Sequence, residues 1–131
     1  MDEVIKERLL RRLKENAARY WYSNNLDKVM REMYLQDPNG CINEDYLSDD
    51  LNKAIFDKFY AVLDAVRQEA GIEGVEIYID VSHDDSTTYL MVLGDRVLLK
   101  GHVKAWNFWW ETEEELAEEM YSMYCEVTSW Q

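Results

Sequence analysis

The chain has 131 residues, 47% of them apolar, with 14 Lys and Arg against 27 Asp and Glu and a formal net charge of −13 at pH 7. A surplus of that size repels phosphate backbones and anionic membrane surfaces, which argues against direct binding of nucleic acid or of a membrane. Five Trp, nine Tyr and three Phe argue equally against a disordered acidic tail, because they can bury enough apolar surface to fold the chain.

The size fits one compact domain over residues 1–131. Nowhere do 18 apolar residues run together, and the opening MDEVIKERLLRRLKEN is charged at every turn, so neither a membrane span nor a signal peptide is read there. Cys41 and Cys125 stand far apart, with no Cys-x-x-Cys pair and no His at ligand spacing. They fit reduced thiols in a cytoplasm. The charge is unevenly spread: residues 1–36 carry 8 basic and 6 acidic side chains, and residues 37–131 carry 6 and 21.

Ile5, Leu9, Leu13, Ala17 and Tyr20 recur three and four apart, with Leu10 and Trp21 widening the stripe, which predicts an amphipathic helix over residues 3–22. Ser23-Asn24-Asn25 supplies capping oxygens, and Leu26, Val29, Met30 and Met33 predict a second helix to about Leu35. Asp37-Pro38-Asn39-Gly40 is a type I turn signature that opens the main loop. Behind Ser48, the stripe Leu51, Ile55, Phe59, Val62, Leu63 and Val66 predicts a helix over 49–70, ended by Gly71.

Val75, Ile77, Ile79 and Val81 alternate with Glu76, Tyr78 and Asp80, so the aliphatic side chains share one sheet face and the acids the other. Ser82–Ser86 turns the chain into a strand at Thr88–Leu93, and Gly94-Asp95 into another at Val97–Val103. Thr112 and Glu115 form a capping box before Leu116, Met120, Met123, Tyr124 and Val127, which predicts a last helix over 112–127. The expected fold is α+β in the order α-α-α-β-β-β-α: a helical N-terminal half, a three-stranded antiparallel meander and a C-terminal helix.

No residues here spell out a reaction. There is no Gly-x-Ser-x-Gly, no Cys set beside a His and no Gly-rich loop before a helix, so neither an enzyme nor a cofactor is expected. His83-Asp84-Asp85 reads as a polar hairpin tip, and Asp80, Asp84 and Asp85 lack EF-hand spacing, so no metal is expected. Arg8, Arg11, Arg12 and Arg19 share one side of the first helix, interleaved with Glu7 and Glu15. That patch fits docking against an acidic face, within the chain or in a dimer, better than it fits phosphate.

At 100° per residue, Glu114, Glu115, Glu118, Glu119 and Glu126 fill an arc of about 140° opposite the apolar stripe of the last helix. Neighbouring carboxylates four residues apart repel by a few tenths of a kcal/mol, and no lysine relieves them. Such a row can stand in for backbone phosphates before a basic groove. As a solvated face it serves solubility, its first-turn glutamates meeting the helix dipole. Trp106, Phe108, Trp109 and Trp110 cannot all point inward in an extended segment; the run reads as core that stitches the last helix to the sheet, with Trp109 or Trp110, beside Glu111, the contact residue if one is exposed.

The acid-rich sheet and turns and the terminal stretch WWETEEELAEEMYSMY resemble, in type, small acidic phage-encoded inhibitors such as anti-CRISPR and anti-restriction proteins. The resemblance is compositional and carries no site residue across. It implies a non-enzymatic inhibitor in the cytoplasm of a phage-infected or prophage-bearing bacterium, acting as monomer or homodimer on a basic protein that handles nucleic acid, foremost a CRISPR nuclease. The expected contact residues are Glu76, Asp80, Asp84, Asp85, Asp95, Trp109, Trp110, Glu111, Glu114, Glu115, Glu118 and Glu119. Two other roles share this composition: an immunity protein or antitoxin for a basic nuclease toxin, and a homo-oligomeric phage structural or assembly protein.

Overall fold

The computed structural model describes residues 2–18, 49–81, 86–104 and 113–129. Within them the order is α1 (Asp2–Ala17), α2 (Asp49–Ala70), β1 (Val75–Val81), β2 (Ser86–Leu93), β3 (Arg96–Lys104) and α3 (Glu113–Thr128). This is an α+β fold with an antiparallel sheet in the order β1-β2-β3. The helix expected to end near Leu35, the main loop, the hairpin tip at 82–85 and the aromatic run at 106–110 lie outside the described residues.

Strand alternation sets the sheet's two faces. Val75 pairs with Leu93, Ile77 with Met91 and Ile79 with Tyr89, and these residues line the face that joins the core. Gly94, with φ of 63°, closes the two-residue turn between Leu93 and Arg96, a conformation that glycine adopts without a Cβ clash. A bulge follows, where Met91 pairs with Leu99 and Val92 with Val97, so Leu98 is the extra residue and is buried with Leu99. Gly101, opposite Tyr89, leaves room for that ring to lie across β3.

The helices cover the aliphatic face: α2 packs on β1, α3 reaches β3, and α1 packs on both α2 and α3. Leu9 and Leu13 of α1, Phe59, Val62, Leu63 and Val66 of α2, and Met120, Met123 and Val127 of α3 join the sheet residues in one core cluster. Each large side chain buried there contributes about 1.5–3 kcal/mol relative to an exposed one. Of the expected α1 stripe, Leu9 and Leu13 are buried and Ile5, Leu10 and Ala17 half-buried, Tyr20 and Trp21 lie outside the described residues, and Asn16, which the stripe did not include, is buried. The cause is a pair of hydrogen bonds to α2: Asn16 donates to the Ala61 carbonyl at 3.2 Å and accepts from Gln68 at 3.3 Å. Arg67 ties the end of α2 to β1, donating to Asp64 at 2.7 Å and to the Val75 carbonyl at 2.9 Å.

Thr87 carries a buried hydroxyl with no hydrogen-bond partner among the described residues. Thr87→Val keeps the shape and removes the desolvated oxygen, so it is expected to stabilise the fold by about 1 kcal/mol and raise Tm by a few degrees. Thermal melts of the two proteins check this.

Candidate protein-binding surface

The acidic face of α3 exists because the apolar residues of that helix are spaced to bury the other side. Ala117, Met120, Met123 and Val127 face the core, and Glu114, Glu115, Glu118 and Glu119 lie toward solvent. Glu113, Glu114 and Glu115 form the first turn, where the helix dipole favours negative charge.

The row has two different flanks. On the α1 side, Lys14 lies 3.1 Å from Glu113, and Lys6 lies 3.9 Å from Glu118 and 5.6 Å from the centre of the Tyr121 ring. These contacts correct the expectation that no lysine relieves the carboxylates: the relief comes from another helix, running antiparallel, whose lysines the spacing within α3 cannot reveal. Tyr121 donates to Asp2 at 2.8 Å, and that hydrogen bond pushes its hydroxyl pKa well up. On the sheet side, burial raises the pKa of Tyr89, and the charges of Glu119 and Glu126 add to the rise.

Glu76 and Asp80 lie elsewhere. Both are exposed on the sheet face turned away from the helices, where Tyr78 donates a short hydrogen bond to Glu76 that raises the tyrosine pKa. Asp95 is exposed at the turn joining β2 and β3. The structure thus brings Glu114, Glu115, Glu118 and Glu119 together and sets Glu76 and Asp80 on the opposite layer. Asp84, Asp85, Trp109, Trp110 and Glu111 lie outside the described residues.

The arginines of α1 are absorbed in part by the fold. Arg8 and Arg12 each donate through Nε to Glu69, at 2.6 and 2.8 Å, and the Glu69 side chain is only 5% exposed. Burial raises the pKa of Glu69, but the hydrogen bonds from Arg12 and Arg8 outweigh it and hold the carboxyl below its ordinary range. Sequence reasoning missed this triad. Its signal was an acid at the next stripe position after Val62 and Val66, matched by arginines four residues apart beside Leu9 and Leu13.

Comparison with protein-family models, curated proteins and solved structures finds no match to this chain. Its chemistry therefore has to be read from the surface itself. Among the described residues no group of three His, Cys, Asp or Glu is placed to hold a metal ion, and no helix is long and apolar enough to cross a membrane. His102 shares a 3.0 Å hydrogen bond with Thr88. Cys125 is an exposed thiol on α3. What the α3 face can offer is a row of carboxylates on a helix whose reverse side is fixed in the core.

Proposed function

We propose that this chain is a non-enzymatic inhibitor that presents the α3 carboxylates Glu114, Glu115, Glu118 and Glu119 to a basic groove of a nucleic-acid-handling protein, foremost a CRISPR nuclease. The observation that carries the reading is their common exposure on one helix face, held by the buried Ala117, Met120, Met123 and Val127. The helix backbone is ordered before binding, so the cost is chiefly that of ordering the glutamate side chains, and the row can occupy Lys and Arg positions that otherwise hold phosphates. Lys6 partly neutralises Glu118 at the edge of the row.

The test is competition with target DNA for a panel of purified CRISPR nucleases, read by fluorescence anisotropy at several salt concentrations. Inhibition is expected to weaken steeply with salt. Changing Glu114, Glu115, Glu118 and Glu119 together to Gln is expected to weaken it at least tenfold, about 1.4 kcal/mol, without unfolding the chain. Tight inhibition by the fourfold variant would overturn the reading. Tight binding to a nuclease toxin instead would reassign the same surface to an immunity protein.

A further inference from the structure

The sheet face turned away from the helices carries a pattern of its own. By register it presents three rows across β1, β2 and β3: Glu76, Val92 and Val97; Tyr78, Leu90 and Lys100; Asp80, Thr88 and His102. None of these nine residues belongs to the core cluster or packs against it. Tyr78 is 54% exposed and Val97 45%. The acids sit on β1, the basic side chains on β3, and Leu90 and Val92 form an apolar ridge between them.

We propose that this face docks against the same face of a second copy of the chain. A two-fold axis lying parallel to the strands, above β2, sets β1 of one copy over β3 of the other. Asp80 then comes opposite the partner's His102, and Lys100 opposite the partner's Tyr78, whose hydroxyl already bonds Glu76. Leu90 and Val92 meet their own counterparts on the axis. A two-fold axis across the strands would instead set acids over acids, so the charge pattern selects one orientation. Packed sheets cross at about −30°, which suits three short twisted strands.

The face is small. Three strands about 4.8 Å apart and some 25 Å long offer roughly 350 Å² of flat area, below the ~800 Å² per partner of a standard interface. Each copy also carries −13. The dimer is therefore weak, with Kd on the order of 10–1000 µM, and moderate salt strengthens it by screening the long-range repulsion between copies. That salt response is opposite in sign to the one expected of the α3 surface, so the two readings fail separately.

Sedimentation equilibrium of the full chain up to about 1 mM, with Cys41 and Cys125 changed to Ser, tests the proposal. Glu76→Lys and Lys100→Glu each alter one exposed residue and are each expected to weaken self-association at least tenfold. Mixing the two variants restores it, because the ammonium introduced on β1 of one copy then lies diagonally, one row away, from the carboxylate introduced on β3 of the other, while Glu76 and Lys100 keep the same diagonal relation on the opposite side of the axis. Val92→Cys on the axis is expected to cross-link to itself under mild oxidation, whereas Glu119→Cys on α3 is not. A chain that stays monomeric to 1 mM, or variants that associate alone as well as mixed, would overturn the proposal.

Discussion

Replacing Glu69 with alanine is expected to cost about 2–3 kcal/mol of folding stability and to flatten the acid limb of the stability profile. Glu69 reaches two guanidinium groups at 2.6 and 2.8 Å with its side chain 5% exposed, whereas Arg8 and Arg12 are 43% and 35% exposed. Losing one member of a buried ion pair costs about 3–5 kcal/mol when the other charge is stranded. Here both arginines can turn to water, which lowers the figure. The sign with pH follows from the direction of the shift. The folded pKa of Glu69 lies below its ordinary value of 4.5, so the triad's contribution is complete above the unfolded value and fades as pH falls through the folded one. Urea unfolding of the native chain and of Glu69→Gln between about pH 3 and 7 should show the two curves converging toward acid. Parallel curves, or a loss under about 0.5 kcal/mol for Glu69→Ala, would show that the triad adds little.

The elements were legible because each rests on a local pattern. Period-two alternation from Val75 to Val81 marks a strand whatever it packs against, and Gly94-Asp95 closes the hairpin of the two strands that follow for backbone reasons alone. The capping signal at Thr112 and Glu115 put the start of α3 within one residue of the observed Glu113. Which side chains meet across distant elements was not legible. The bonds from Arg8 and Arg12 to Glu69 span 61 and 57 residues, and the contact of Lys6 with Glu118 joins the two ends of the chain, beyond any helical or strand period. Alternation says that Glu76 and Asp80 oppose the aliphatic residues of β1. With the helices packed on the aliphatic side, the simplest cover for a sheet from which they are segregated, that alternation also divides the acids between two surfaces.

Gly101→Val is expected to be more damaging still, by about 3–4 kcal/mol, although the change adds only apolar atoms to a strand. A Cβ at this position would stand 2.6 Å from Cε1 of Tyr89 and closer to Cζ and the hydroxyl oxygen. The ring cannot simply swing aside: it is 8% exposed and lies against Phe59 with ring centres 5.8 Å apart. Relief therefore requires Tyr89 to leave its rotamer or β3 to move from β2, and either disrupts the contact of the sheet with α2. Tyr89→Val opens the space from the other side, and its own cost is the lost aromatic packing, about 3 kcal/mol. In the double variant the new valine fills part of the volume the ring vacated. The two changes should then cost at least about 1 kcal/mol less together than their separate costs sum to, measured by denaturant unfolding. Additive costs would mean that the ring and the glycine do not share one space, and that β3 tolerates a side chain at 101 by some other movement.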